Sequence, residues 1–384
     1  MTSICLLGAS GSIGQQTLDV MKKNRGDFSL LAFSVGHRTR CICSIIKRFP
    51  EVKAVCLKDK KMLKKYQNRY PSILFFHGDD GLIDLIKASE ADMVVNALVG
   101  FVGLKPTLFS LNENKIVALA NKESLVVGGE IITNLLKQGH GKLIPIDSEH
   151  VAIAKCLAVD NVNVDKIIIT ASGGAFRNLT RDELVNVTPE QALNHPNWNM
   201  GNKITIDSAS MVNKAFEIIE AHYLFGYSID KIDVILNLNS YVHSIVLYDD
   251  KTYRMEVGKP DMRKPIKYAL YQGLLDYQTV ATDDLHKIKN TSFAPFDINR
   301  YPIVNVAYQV IKEKGALGAI FNASNEVAVH AFLNKEIPFL GIESIIHKCL
   351  REIKNIKNPD YEKLLEIDTR VRSFARELIK KGDY

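Results

Sequence analysis

The chain is predicted to be an α/β protein opening with a doubly wound, largely parallel sheet, and three observations carry that prediction. Short apolar runs alternate with helical patterns through the amino-terminal part of the sequence. A glycine loop follows the first apolar run directly. From Tyr301 onward the pattern is amphipathic and helical.

Ile4-Cys5-Leu6-Leu7 reads as a short buried strand, followed by Gly8-Ala9-Ser10-Gly11-Ser12-Ile13-Gly14 and a helical pattern through Leu18 and Met21. Strand, glycine loop and helix form the setting in which backbone N–H groups approach a pyrophosphate and the helix N-terminus favours its charge. The spacing is GxxGxxG, a variant of the usual GxGxxG, and an ordinary βα turn is the alternative. The second strand, Ser29 to Val35, is followed by Gly36-His37-Arg38-Thr39-Arg40. No carboxylate stands there to bind a bare ribose, whereas arginines suit a 2′-phosphate, so NADPH is favoured over NADH. Arg38 as a solvated surface charge is the plainer alternative.

Further strands are expected at Ala54–Leu57, Ile73–Phe76, Met93–Ala97 and Lys115–Ala120. Asn121-Lys122-Glu123 follows the last of these. Ligands of such sheets bind beyond the carboxyl ends of strands, which would put these polar residues at the nicotinamide end. Lys122 also has a simple reading as an exposed loop lysine.

Asp147 and Glu149 close the run Lys142-Leu143-Ile144-Pro145-Ile146. In an extended segment two residues spaced by two face the same way. Far downstream, Asn213 and Glu217 are i and i+4 on a helical pattern, with Lys214 beside Glu217 at i+3. Three carboxylates gathered in one pocket need a cation or protons to offset their repulsion, and oxygen ligands suit Mg²⁺ or Mn²⁺. A Lys–Glu surface pair is the competing explanation of the helix.

Two segments resemble anion sites. Lys166–Thr170 leads into Ala171-Ser172-Gly173-Gly174, either a cradle for an anion or a hairpin turn. A helix is expected to begin near Ser208, with Met211, Val212, Phe216 and Ile219 on its buried side. That places Ser208 where the helix dipole favours an anion. Between them, His195-Pro196-Asn197-Trp198-Asn199-Met200-Gly201 holds the one tryptophan of the chain, as a lid or as an anchor of the loop.

Bulk properties narrow the class. The 384 residues suffice for two or three domains, and 46% hydrophobic with 24% charged residues is ordinary for a soluble protein. The net charge of +6 is spread along the chain rather than gathered into a nucleic-acid tract. Six scattered cysteines fit neither a zinc spacing nor a disulfide framework. With no leader-like segment and no bilayer-length apolar run, a cytoplasmic location is expected.

Taken together, these segments closely resemble the 1-deoxy-D-xylulose 5-phosphate reductoisomerase family, the NADPH-dependent enzymes of the methylerythritol phosphate route to isoprenoids. The resemblance runs through Gly11–Gly14, Leu119–Ser124, Ile146–His150, Ser172–Gly174, His195–Trp198, Asp207–Ala209, Asn213-Lys214 and Glu217. It continues through Pro260–Arg263 and Asn322–Ala328, covering nearly the whole chain. It implies a Rossmann-like domain over 1–147, a central α+β catalytic and dimerisation domain over 148–271, a linker over 272–298 and a helical domain over 299–384. It implies rearrangement of 1-deoxy-D-xylulose 5-phosphate followed by hydride reduction to 2-C-methyl-D-erythritol 4-phosphate.

The same resemblance assigns Asp147, Glu149 and Glu217 to one divalent cation, Mn²⁺ or Mg²⁺ with Co²⁺ as a further option. Ser172, Ser208, Asn213 and Lys214 would hold the substrate phosphate, while Lys122, Ser148 and His195 touch the substrate and Trp198 closes the lid near 195–201. Ser10, Gly11, Ser12, Ile13, Gly36, His37, Arg38, Asn121, Glu123 and Gly201 would contact NADPH. Departures from the family's usual letters are Ser10 for threonine, His37-Arg38 for Lys-Asn, and a looser Asn239–Ser244 segment at the implied homodimer interface. The competing readings are an NADPH-dependent reductase of another phosphorylated metabolite and a non-catalytic NADPH sensor. Neither gives the three carboxylates a purpose.

Overall fold

A computed structural model describes residues 1–158, 163–274 and 291–384. The chain divides into two compact units. The first comprises Met1–Ser124, Ile131–Asp147 and Asp261–Leu275, and the second Leu125–Glu130, Ser148–Pro260 and Asp276–Tyr384. Of the expected linker over 272–298, residues 275–290 lie outside the described residues.

Seven parallel strands form the sheet of the first unit: β1 (Thr2–Leu7), β2 (Phe28–Val35), β3 (Ala54–Leu57), β4 (Leu74–His77), β5 (Met93–Asn96), β6 (Ile116–Leu119) and β7 (Lys142–Pro145). Their order is β4-β3-β2-β1-β5-β6-β7. The chain therefore winds one way from β1 and the other way from β5, and the crevice for a ligand lies beyond the carboxyl ends of that central pair. Ile4 and Leu6 join one apolar cluster while Cys5 and Leu7 join another. A strand buried on both faces cannot show alternation, which is why these strands read as continuous apolar runs.

Five strands make the sheet of the second unit: β8 (Val164–Ala171), β9 (Ile232–Leu236), β10 (Val242–Tyr248), β11 (Tyr253–Val257) and β12 (Ala294–Pro295). Their order is β11-β10-β8-β9-β12, with only the β8–β9 pair parallel. Helices Ser148–Leu157, Asn202–Ser210 and Val212–Phe225 belong to this unit. So do Asn305–Glu313, Leu317–Leu333, Phe339–Glu352 and Tyr361–Lys381, which bear out the helical tail. All six cysteines are free thiols. Among the described residues, no helix is long and apolar enough to cross a membrane.

Two local expectations are corrected. Glu149 is not in an extended segment with Asp147: β7 ends at Pro145 and the helix Ser148–Leu157 has begun. Ser208 does not open a helix either. It lies in the last turn of Asn202–Ser210, because Met211 at φ +66° breaks the run and a new helix starts at Val212. Asn213 and Lys214, not Ser208, thus stand in the opening turn of the helix Val212–Phe225.

Candidate active site

In the first unit, Gly8 turns the chain at φ +85°, and a Cβ there would stand 2.5 Å from the Ala97 carbonyl oxygen. A Cβ on Gly14 would stand 2.3 Å from the Gly8 oxygen, so the helix can approach the turn only without one. Ser10 is half-buried, while Gly11 and Ser12 are exposed at the start of the helix Ser12–Lys23, with Ile13 beside them. Gly36, His37 and Arg38 are exposed just past the carboxyl end of β2, where a 2′-phosphate would be met.

Past β6, Asn121 is fully buried and braces its surroundings. Its amide donates to the carbonyls of Leu98 and Gly100, both at 3.0 Å, and to Glu123 Oε2 at 3.1 Å. Its Oδ1 accepts from the Ser124 N–H and hydroxyl. The Asn121 side chain therefore shapes the loop after β5 and is committed to it. A Cβ on Gly103 would come within 2.2 Å of Asn121 Oδ1, so Gly103 makes room for the brace. Buried Asn96 and Thr107 extend the network. Lys122, also buried, is paired with Asp147, just past β7.

In the second unit, two helices bring their polar starts together. The Glu149 carboxylate, on the first turn of Ser148–Leu157, accepts from the Ser148 hydroxyl at 2.5 Å. Lys214, only 4% exposed, directs its ammonium at Glu149 Oε1 (3.2 Å), at the Thr170 carbonyl (2.6 Å) and at Glu217 Oε2. All three ammonium donors are thereby used. Glu217 is 1% exposed and its Oε1 accepts from Asn213 Nδ2 at 2.5 Å. Carboxylate oxygens of Glu149 and Glu217 lie within 4.8 Å of one another. Unscreened, two carboxylates this close would repel strongly, and Lys214 is the cation that offsets them.

Behind this cluster, buried His150 places Nε2 3.0 Å from the backbone oxygen of Glu217 and Nδ1 3.4 Å from Glu220 Oε2. His150 and Glu220 thus tie the helix of Glu149 to the helix of Glu217. Sequence reading passed over both, although Glu220 lies at i+3 from Glu217, a visible signal.

The Ser172–Gly174 segment is a tight turn, with Gly173 at φ +82° and Gly174 at +67°. A Cβ on Gly174 would sit 2.6 Å from the Ser208 carbonyl oxygen, so the turn rests on the backbone of Ser208. The hydroxyl of Ser172 lies 3.1 Å from His195 Nε2. His195 Nδ1 accepts from the N–H groups of Asn197 and Trp198, at 3.1 and 3.0 Å. The proton must therefore be on Nε2, which donates to Ser172. Burial, with the nearby Arg177 charge, pushes His195 down to about 4, so the ring is neutral at ordinary pH.

Asn197 clips this loop to the next one, donating to the Leu238 carbonyl and to the Ser240 hydroxyl, both at 2.8 Å. Trp198 is half-buried, its ring centroid 6.2 Å from that of His243. Gly201 caps the helix Asn202–Ser210 with its carbonyl. Glu149, Ser172, His195, Ser208, Asn213, Lys214 and Glu217 all belong to the second unit, while Lys122 and Asp147 belong to the first.

A family model described as 1-deoxy-D-xylulose 5-phosphate reductoisomerase matches residues 4–129. Models of its C-terminal domains match 143–225 and 257–374. The 1-deoxy-D-xylulose 5-phosphate reductoisomerase of Geobacillus kaustophilus is 45% identical over 384 residues, covering 99% of this chain and 100% of that protein. The chain belongs to the 1-deoxy-D-xylulose 5-phosphate reductoisomerase family. Within the family, the Clostridium novyi reductoisomerase is 42% identical over 98% of this chain and 99% of its own length. A solved reductoisomerase in complex with NADPH, fosmidomycin and magnesium superposes with a TM-score of 0.91 at 32% identity, covering 99% of this chain and 98% of that one. The Zymomonas mobilis reductoisomerase in complex with NADPH gives 0.90 at 35% identity, covering 98% and 99%.

Proposed function

We propose that this chain converts 1-deoxy-D-xylulose 5-phosphate to 2-C-methyl-D-erythritol 4-phosphate, rearranging the carbon skeleton and then reducing it with NADPH. The observation that carries the reading is half-buried Glu149 and buried Glu217 sharing one ammonium, in a chain that belongs to this family over its whole length. The donors are carboxylate oxygens already arranged about a positive charge, which fits a hard divalent cation. Asp147 stands two residues before Glu149, so their Cα atoms are held within about 7 Å by the chain itself. Asp147, Glu149 and Glu217 are the residues to hold Mg²⁺ or Mn²⁺, with Co²⁺ a further candidate.

Bound there, the cation supplies Lewis-acid stabilisation of the charge that develops during the rearrangement. NADPH supplies the hydride. The remaining work falls to the chain. Ser172, Ser208, Asn213 and Lys214 take the phosphate, the handle that orients the reacting end. Lys214 has two claims on it, from the carboxylates and from the phosphate; neutralising the carboxylates frees its ammonium for the second. Neutral His195 fixes the Ser172 hydroxyl by donating to it, and so acts on the substrate end as a donor rather than as a charge. Lys122 and Ser148 reach the substrate, and Trp198 shields it from water. Ser10 to Ile13, Gly36 to Arg38, Asn121, Glu123 and Gly201 frame NADPH, Asn121 by bracing the loop after β5.

In this reading the cofactor domain spans 1–147, the catalytic and dimer-forming domain 148–271, the linker 272–298 and the helical domain 299–384. The enzyme is a cytoplasmic homodimer. The edge strand β11, with Tyr253, Met255 and Val257 turned to solvent, supports pairing of two copies. Sedimentation showing a monomer at every concentration would remove the dimer.

The test of the reaction is NADPH oxidation with 1-deoxy-D-xylulose 5-phosphate and Mn²⁺, followed by excess chelator. Oxidation that stops on chelation, with 2-C-methyl-D-erythritol 4-phosphate formed, is expected. Metal-loaded protein that binds NADPH but leaves the substrate untouched would overturn the assignment.

A further inference from the structure

The segment Asn322–Ala328 is the one sequence feature of the helical tail that the reaction above leaves without a task. It lies within the helix Leu317–Leu333, whose buried face carries Asn322, Ser324 and Asn325. Asn325 is fully buried, and its Nδ2 donates to Asp207 Oδ1 at 2.9 Å. A carboxylate can only accept, which fixes the orientation of the Asn325 amide. Asp207 Oδ2 faces Lys203 Nζ at 2.8 Å, one turn earlier on the helix Asn202–Ser210. Asp207 is thus held from its own helix and from another.

Asp207 is an expensive residue for folding alone. Its side chain is 2% exposed, and it stands near the carboxyl end of its helix, where the dipole disfavours a negative charge. The next residue is Ser208, on whose carbonyl the Ser172–Gly174 turn rests. Successive residues are about 100° apart around a helix axis, so fixing Asp207 sideways fixes the direction of Ser208. Ile206 and Ala209 bury the apolar side of this nine-residue helix, and the Asn325 bond adds the directional polar contact that apolar packing lacks. The Lys203–Asp207 bond lies within one helix and does not by itself keep that helix from turning.

The geometry points to Asn325 as a positioning residue for the substrate phosphate: by holding Asp207 it sets the rotation of the helix Asn202–Ser210 and aims Ser208 at the Ser172–Gly174 turn. This rests on the reading that Ser208 and that turn receive the phosphate. It gives the helical tail a part in substrate recognition, through a residue that touches no substrate atom.

The test compares kcat/KM for 1-deoxy-D-xylulose 5-phosphate and for phosphate-free 1-deoxy-D-xylulose in the Asn325→Leu enzyme, with NADPH affinity measured alongside. Losing one hydrogen bond to a charged partner should lower kcat/KM on the phosphorylated substrate about 10- to 100-fold. The phosphate-free substrate should be turned over within about twofold of the parent rate, and NADPH affinity should not move. The exchange Asp207→Asn with Asn325→Asp restores a donor–acceptor pair and should recover most of the loss. Should leucine not be tolerated, Asn325→Ser, too short to reach Asp207, gives the same comparison. Equal loss on both substrates, or no loss at all in a folded variant, would overturn the proposal. A Ser208→Ala enzyme with full activity on the phosphorylated substrate would instead remove the phosphate reading beneath it.

Discussion

The ammonium of Lys214 lies 3.2 Å from Glu149 Oε1, joining the first turns of two different helices, and the same ammonium is bonded to Glu217. One buried lysine therefore stands in for the charge that two carboxylates require. That relationship sets opposite expectations for the metal and for the substrate.

Replacing Lys214 with Met removes the competing cation and keeps most of the buried volume. Mn²⁺ should bind at least as tightly as to the parent protein. The kcat/KM for the phosphorylated substrate should fall about 10- to 100-fold, the loss expected for a charged hydrogen bond. Titration of Mn²⁺ beside steady-state kinetics separates the two effects. Weaker Mn²⁺ binding in the variant would mean that Lys214 supports the carboxylates rather than competing for them.

His195 gives a pH signature. Its pKa falls from 6.5 to about 4 in the folded protein, chiefly through burial. Between those values the unfolded chain binds the proton that the folded one refuses, so stability is lost as pH drops from about 6.5 towards 4. Above that window the ring is neutral in both states and contributes no slope. Thermal midpoints across pH 4 to 7 should fall less steeply for His195→Gln than for the parent. Parallel curves would show that His195 titrates normally.

Arg38 should decide between cofactors. It is exposed beyond β2, and no acid stands in the Gly36–Arg40 segment. Arg38→Ala should weaken NADPH about 10- to 100-fold, as expected for a lost charge-assisted bond to phosphate, and leave NADH within about twofold. Equal losses for both cofactors, read by fluorescence titration, would remove the 2′-phosphate role.

Much of the first unit was legible because its strands are buried on both faces and its glycine turn tolerates no Cβ at Gly8 or Gly14. Such constraints act within a few residues and leave a mark in the letters. The break at Met211 left none: a methionine at φ +66° is chosen by packing, not by local preference, so Ser208 was placed at the wrong end of a helix. Glu149 was misread because the strand ends at Pro145 and only Ile146-Asp147 separates it from the helix that opens at Ser148, too short a join to stand out from the apolar run. The bonds of Asn121, His150 and Asn325 join residues far apart in sequence or buried among others, and only the fold brings their partners together.

The most direct test of the metal site is a titration of Mn²⁺ into the parent protein and into Glu217→Gln, with NADPH binding followed in the same samples. The parent should take up one Mn²⁺. The variant, lacking one of three carboxylates, should bind it at least about tenfold more weakly while holding NADPH as before. Equal Mn²⁺ affinity in the two proteins would contradict the assignment of Asp147, Glu149 and Glu217 to the cation.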